Sequence, residues 1–163
     1  MTFSGPAGIL GAMKVRRILC AVDFSDPSKE ALHYGSDLAR LFDAELLLFH
    51  VYHVPGYGMP EGSLVLPGPE TMARLFARID ERLAGWKNEA LERGAPRVAV
   101  ATAQGSAWHE IVERAKDGCQ LVVVGTHGHT GLRHALLGSV ADRVVRHAPC
   151  PVLTVRCGDH AHE

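Results

Sequence analysis

A serine and four glycines form the part of the sequence whose spacing suggests chemistry. They follow a short apolar run at residues 121–124 and occupy positions Gly125, Gly128, Gly131, Gly138 and Ser139. Because glycine has no side chain and accepts positive φ, such a loop lets backbone N–H groups surround an anion. A helix is predicted over residues 140–147, and its first N–H groups and positive dipole end would face the same point. The segment therefore predicts a phosphate site.

Two better known phosphate loops are excluded by spacing. A P-loop needs a lysine between its last glycine and its serine, whereas Gly138 is followed directly by Ser139. The dinucleotide fingerprint is G-x-G-x-x-G after the first strand, but Gly125 and Gly128 form G-x-x-G after the fourth predicted strand. The loop lacks the cation that meets a transferring phosphate, so its composition favours binding of a phosphate group over fast phosphoryl transfer.

The elements that would position this loop are strands and helices that alternate along the chain. Short apolar runs predict strands over residues 18–22, 45–51, 97–102, 121–124 and 151–155. Apolar residues at helical spacing predict helices over residues 29–42, 69–93, 108–116 and 140–147. Residues 54–63 are so rich in proline and glycine that we expect an irregular loop over the sheet. The alternation predicts one α/β domain, a Rossmann-like sandwich with a five-stranded parallel sheet flanked by helices.

Three predicted strands end in segments that suit a ligand. The three segments begin at Asp23, His50 and Gly125. Ligands of parallel sheets lie beyond the carboxyl ends of the strands, where these segments stand. Two of the candidate side chains also have an ordinary structural interpretation. Asp23 could serve only as the N-cap of the next helix, and Ser139 can serve a phosphate only if its hydroxyl is not committed to capping.

The spacing Gly125-x2-Gly128-x9-Gly138-Ser139 resembles the ATP-binding signature of the universal stress protein family. The resemblance extends from about Lys14 to Arg156. Residues 18–25 resemble the family's first strand with its aspartate, residues 48–51 the end of its second strand, and residues 148–155 its last strand. It implies the adenine nucleotide alpha hydrolase-like version of the fold and an ATP-binding member of the family.

The resemblance also implies roles for individual positions. Asp23 and Val51 would hold the adenosine end of ATP, and Ala21 stands where many members have proline. Val124 would border the nucleotide. The ribose and phosphates, with Mg²⁺ or Mn²⁺ on the phosphates, would be held largely through the backbone of Gly125, Gly128, Gly138, Ser139 and Val140. Gly131 falls outside the signature and is interpreted as a turn residue.

The function implied is an ATP-binding universal stress protein, a nucleotide-dependent stress-response or signalling module with at most slow ATP hydrolysis or autophosphorylation. Two alternatives remain open. One is an ATP-using enzyme of the same superfamily, whose second substrate would need a pocket walled by residues 55–69. The other is a dimeric interaction protein without nucleotide. The resemblance implies a homodimer through the last strand, Val152 to Val155, an apolar edge that should be covered.

Histidines and arginines near the loop suggest further ligands. A metal site could be imagined from His50, His53, His127, His129, His160 and His162, but no cysteine or carboxylate completes a set. We therefore interpret these histidines as solvated and predict no zinc site. Some arginines could meet a phosphate or equally lie in solvent or an interface, and these are Arg133, Arg143 and Arg146.

Composition limits the class of protein. The 163 residues carry 17 basic and 18 acidic side chains, so no global charge attracts nucleic acid or an anionic membrane. The four cysteines form no C-x-x-C pair and predict reduced thiols in a cytoplasmic protein. Residues 1–12 resemble neither a signal peptide nor a membrane span. We expect a flexible extension over residues 1–13, a domain over 14–157 and a flexible tail over 158–163.

Overall fold

The computed structural model describes residues 14–54, 57–58, 64–65, 67–126 and 137–157. Within these residues the elements are, in chain order, β1 (Arg17–Ala21), α1 (Asp26–Phe42), β2 (Glu45–Tyr52), β3 (Tyr57–Gly58), β4 (Leu64–Val65), α2 (Pro69–Glu92), β5 (Arg97–Gln104), α3 (Ala107–Ala115), β6 (Leu121–Gly125), α4 (Ser139–His147) and β7 (Val152–Val155). Five of the strands form one parallel sheet. The predicted α/β fold is confirmed.

The stretch predicted to be irregular contributes one strand to a small antiparallel ladder. Strand β3 pairs antiparallel with β4, so that Tyr57 lies opposite Val65 and Gly58 opposite Leu64. Proline and glycine rule out a long element, but none of these four positions is a proline, and a two-residue ladder needs no more. The prediction of a wholly irregular loop over residues 54–63 was therefore wrong at β3. Residues 55–69 were the predicted wall of a second-substrate pocket, and apart from these strands they lie largely outside the described residues.

The strand order places a switch point at the centre of the sheet. The order is β5-β2-β1-β6-β7, so the chain moves from β1 to one edge and returns to build the other edge from β6. Ala21 of β1 is in register with both Phe49 of β2 and Val124 of β6. Because these strands are parallel and in register, their carboxyl ends meet between β1 and β6, where ligands of such sheets bind.

Two apolar layers hold the sheet between its helices. One layer joins α1 and α2 to side chains such as Ile18, Leu48 and Val123. The other joins α3 and α4 to side chains such as Leu19 and Phe49. Since β1, β2 and β6 are covered on both faces, their sequences are continuous apolar runs rather than alternating ones. None of the described helices has the length and apolarity needed to cross a membrane.

Candidate functional site

A cavity of about 260 Å³ lies at the carboxyl ends of β1, β2 and β6. The first residues of α3 and α4 close its sides. The described residues that line it are Ala21, Val22, Asp23, Ser28, Phe49, Val51, Ala107, Ile111, Val124, Gly125, Thr126, Gly138, Ser139, Val140 and Ala141. Most of the lining is apolar, with polar groups at the strand ends and at the starts of α1 and α4. This is the usual composition of a small-molecule site.

The structure brings most of the predicted site residues together around this cavity. Those that line it are Ala21, Asp23, Val51, Val124, Gly125, Gly138, Ser139 and Val140. Gly128, the ninth predicted residue, lies outside the described residues, as do Gly131, His127, His129 and Arg133. The arrangement makes one continuous surface from residues that are more than 100 positions apart in the chain.

Several cavity residues were not predicted. Val22 and Thr126 directly follow predicted positions at strand ends, so their neighbours in sequence were a usable signal. Ala107 and Ile111 belong to α3, which crosses back over the sheet between β5 and β6. Nothing in the local sequence of α3 signals a ligand, because its place at the cavity comes only from the strand order.

The start of α4 presents backbone N–H groups to the cavity. Gly138 is the N-cap residue, Ser139 is the first helical residue, and no side chain caps this terminus. The alternative in which the Ser139 hydroxyl is committed to capping is therefore excluded. Ser139 is exposed, and among the described residues its hydroxyl has no hydrogen-bond partner. Uncapped N–H groups and the helix dipole together favour an anion at this position.

Thr126 fixes α4 beside the end of β6. Its N–H donates to the carbonyl oxygen of Val155 at 2.7 Å, and its own carbonyl oxygen accepts from the N–H of Gly138 at 2.6 Å. Thr126 is 3% exposed. A single buried residue therefore ties together the ends of β6 and β7 and the N-terminus of α4, which determines where the helix N–H groups lie.

Gly125 is required by the packing of β6 against the start of α1. A Cβ at this position would lie 2.8 Å from the carbonyl carbon of Pro27 and 2.9 Å from its oxygen. Real Cβ atoms do not approach backbone so closely, so a larger residue must displace the start of α1. The expected positive φ is not the reason for either glycine at the site, since φ is −68° at Gly138 and Gly125 is outside the left-handed region.

Asp23 lines the cavity and also supports the start of α1. Its carboxylate Oδ1 accepts from both the backbone N–H, at 3.0 Å, and the hydroxyl of Ser25. The backbone N–H of Asp23 donates to Oγ of Ser28 at 3.2 Å. Ser25, not Asp23, is the N-cap of α1, because its Oγ accepts from the N–H of Ser28. The alternative that Asp23 serves only as the helix cap is therefore excluded, and its half-buried carboxylate is held at the cavity edge.

His50 is a structural histidine rather than a solvated one. It is 9% exposed, and its Nδ1 lies 2.7 Å from the carbonyl oxygen of Val22, so Nδ1 carries the proton. Burial lowers the pKa of His50, and this effect outweighs the hydrogen bond to Val22 and the charge of Asp23, which raise it. Burial of the ring therefore favours its neutral form. Among the described residues no group of three histidine, cysteine or acidic side chains is placed to hold a metal.

The described lining of the cavity contains no basic side chain. Two of the arginines that were candidates for phosphate binding lie elsewhere. Arg146 forms an ion pair with Asp142 at 2.9 Å, and Arg143 lies over the ring of Trp108, 5.5 Å from its centroid. Within the described residues, an anion in the cavity would thus meet backbone N–H groups and a hydroxyl, and no cation.

Known proteins resemble this chain in sequence and in fold. A universal stress protein of Methanocaldococcus jannaschii is 36% identical over 144 residues, which is 86% of this chain and 82% of the relative. The structure of UspA from Lactobacillus plantarum superposes with a TM-score of 0.75 at 24% identity, covering 88% of this chain and 99% of that one.

Some solved structures of the same fold contain adenine nucleotides. A universal stress protein family protein from Arabidopsis thaliana with AMP bound superposes with a TM-score of 0.62 at 23% identity, covering 88% of this chain and 93% of that one. Other structures of universal stress proteins hold cAMP and dAMP. Residues 14–156 match the sequence profile of the universal stress protein family. The chain therefore belongs to the universal stress protein family.

Proposed function

We propose that this protein binds ATP in the cavity between β1 and β6 and acts as a nucleotide-dependent stress-response or signalling module. The observation that carries the proposal is the coincidence of an apolar cavity with an uncapped helix N-terminus at the switch point of the sheet. An adenine ring suits the apolar cavity, and phosphates suit the uncapped helix N-terminus. The cAMP, dAMP and AMP held by other proteins of this family support an adenine nucleotide as the ligand.

In this proposal the adenosine end lies against β1, β2 and β6. Ala21, Val51 and Val124 supply the apolar wall, and the carboxylate of Asp23 lies at the edge of that wall. An ionised carboxylate is an acceptor only, so it suits ribose hydroxyls or the adenine amino group as donors. This assigns Asp23 to recognition of the nucleoside rather than of the phosphates.

The phosphates lie at the start of α4. The backbone of Gly125, Gly138 and Val140, together with the hydroxyl of Ser139, would meet them, and Gly128 is assigned to the same group from the sequence signature alone. A phosphate here gains charge-assisted hydrogen bonds without needing a cation from the protein. Asp23 is the only carboxylate among the described lining residues, so Mg²⁺ or Mn²⁺ would be held mainly by the phosphates themselves.

The same lining argues for binding rather than fast turnover. Efficient phosphoryl transfer needs cations on the developing charge and a group that orients the nucleophile. The described lining offers no lysine, arginine or histidine for either task. We therefore propose at most slow hydrolysis or autophosphorylation, with the bound nucleotide altering contacts of the protein.

We also propose that the protein is a cytoplasmic homodimer through β7. Strand β7 lies at one edge of the described sheet, and Val152, Leu153 and Thr154 are only half-buried in the single chain. Covering such an apolar edge with a second copy removes its unpaired backbone groups from water. The four free thiols suit a reducing compartment. Native mass spectrometry tests the dimer, since a strictly monomeric mass at micromolar protein would contradict it.

A comparison of two serines tests ATP binding at α4. Ser139 and Ser106 both stand at helix starts, but only Ser139 lines the cavity. Loss of one hydrogen bond to a charged phosphate, about 1.5 to 3 kcal/mol, should raise the Kd for ATP roughly 10- to 150-fold in Ser139→Ala. Ser106→Ala should bind as the wild type does, as measured by calorimetric titration with ATP and Mg²⁺.

Two outcomes of this comparison would contradict the proposal. If Ser139→Ala and Ser106→Ala bind ATP equally well, the hydroxyl of Ser139 does not meet the phosphates, which contradicts the role proposed for it. If the wild-type protein hydrolyses ATP at ordinary enzyme rates, about 1 to 10³ s⁻¹, and Ser139→Ala abolishes this, the protein is an ATP-using enzyme instead of a binding module.

A further inference from the structure

Helix α2 contacts the turn that carries Asp23, although none of its described residues lines the cavity. The guanidinium carbon of Arg82 lies 4.2 Å from the centroid of the Phe24 ring. The ring of Trp86 meets the same ring edge-on, with centroids 5.2 Å apart. Nη2 of Arg82 also donates to the carbonyl oxygen of Phe24 at 3.4 Å. Two side chains of α2 therefore hold the residue that follows Asp23.

Phe24 has a backbone conformation that its own side chain does not favour. Its φ is 65°, in the left-handed region that glycine adopts readily and aromatic residues rarely do. Such a conformation persists where the surroundings determine it, and it is concentrated at ligand-binding positions. Here the surroundings are Arg82 and Trp86 together with the ring of His50, whose centroid is 4.6 Å from that of Phe24.

The residue before Asp23 is held as well. Nδ1 of His50 donates to the carbonyl oxygen of Val22 at 2.7 Å. The main chain on both sides of Asp23 is thus fixed by groups from outside β1, with His50 of β2 on one side and Arg82 of α2 on the other. The orientation of the Asp23 carboxylate follows from the backbone that these contacts determine.

We propose that Phe24 and Arg82 are positioning residues that orient the Asp23 carboxylate toward the nucleoside of a bound adenine nucleotide. The inference rests on the proposed function, because it requires a ligand that Asp23 contacts. It goes beyond that function by assigning a role in ligand affinity to α2, a helix outside the cavity. Neither Phe24 nor Arg82 is among the described residues that line the site.

A purely structural role for Arg82 predicts that its replacement lowers the free energy of unfolding and leaves the Kd for the nucleotide unchanged. Arg82 is exposed, and exposed cation contacts contribute little to stability. Its replacement should therefore leave the free energy of unfolding almost unchanged while affecting a carboxylate near the ligand. Arg78 supplies a matched control, since it lies one turn earlier on α2, is exposed, and forms no hydrogen bond or ion pair within the part of the chain described.

The experiment is a double-mutant cycle measured by calorimetric titration with ATP and Mg²⁺. The proteins are the wild type, Arg82→Gln, Arg78→Gln, Asp23→Asn and the double variant Asp23→Asn with Arg82→Gln. We expect Arg82→Gln to raise the Kd about 5-fold and Arg78→Gln to leave it unchanged. Because Arg82 acts through the carboxylate, the double variant should bind within about twofold of Asp23→Asn. Urea unfolding should give the same midpoint for both single arginine variants.

The contrary results separate the positioning role from the proposed function. Equal Kd values for Arg82→Gln and Arg78→Gln, or fully additive losses in the double variant, would overturn the positioning role while leaving nucleotide binding intact. Wild-type affinity in Asp23→Asn would do the same. Absence of ATP binding by the wild type would overturn the proposed function and this inference with it. Phe24→Gly keeps the left-handed backbone without the ring, and we expect it to match the loss in Arg82→Gln; wild-type affinity in a folded Phe24→Gly would also overturn the role.

Discussion

Replacement of Gly125 by alanine tests the close approach of β6 to the start of α1. The added Cβ would lie 2.8 Å from the carbonyl carbon of Pro27, whereas ordinary carbon contacts are about 3.5 Å or longer. Backbone must therefore move by several tenths of an ångström. Overpacking of this kind costs about 1 to 3 kcal/mol, so we expect a loss of about 2 kcal/mol in the free energy of unfolding.

The assay is urea unfolding followed by circular dichroism, without nucleotide. With a slope of about 2 kcal/mol per molar urea, the midpoint of Gly125→Ala should fall by about 1 M. The melting temperature should fall by about 4 to 8 °C for a domain of this size. Gly85→Ala is the matched control, because Gly85 is exposed within α2 and nothing lies within 4 Å of an added Cβ. Alanine there should stabilise the protein by up to about 1 kcal/mol.

Unchanged stability of Gly125→Ala without nucleotide would refute the steric reasoning. If that variant lost only its affinity for ATP, the glycine would serve the approach of a ligand and not the packing of α1 against β6. A loss of both would be consistent with the structure, because Gly125 touches Pro27 and lines the cavity at the same time.

Two further predictions concern pH. Burial lowers the pKa of His50 below its usual value, so the stability that its neutral form contributes is present above pH 6.5 and is lost as the pH falls through the folded pKa. Between pH 7 and pH 5 the wild type should lose more stability than His50→Gln in urea unfolding; equal losses would show that the ring is not held neutral. Burial raises the pKa of Glu89. The hydrogen bond from His33 at 2.6 Å and the charge of the nearby Lys29 together lower this pKa by more than burial raises it, so the net shift is downward. The stability advantage of the wild type over Glu89→Gln should be complete above about pH 4.5 and shrink below it, and an advantage that stays constant down to pH 3 would contradict the ion pair.

The fold could be predicted because its signals are local. Apolar runs such as residues 18–22 and 121–124 predicted strands covered on both faces, and helical periodicity located each helix of the described residues to within a few positions. Helix α1 begins three residues before its predicted start, because Pro27 is compatible with the first turn of a helix. The ladder between β3 and β4 escaped prediction, since two-residue pairings leave no periodic pattern.

The site could be predicted only in part, because contacts between distant segments decide its details. The glycine spacing pointed to Gly125, but its contact with Pro27 joins two segments almost 100 residues apart. Ser25 and Asp23 are both plausible caps in sequence, and only the geometry of the turn assigns the cap to Ser25. His50 resembles other histidines of the chain, and its burial follows from the packing of Phe24 against it.

The central claim is that an adenine nucleotide binds between β1 and β6, and backbone amide NMR during titration with ATP and Mg²⁺ tests it most directly. The account predicts the largest shifts at residues 21–23, 124–126 and 138–141, which line the cavity. Amides at the opposite ends of the strands, such as Ile18 and Leu46, should stay nearly unchanged. No shifts at millimolar ATP, or shifts concentrated away from the cavity, would contradict the account.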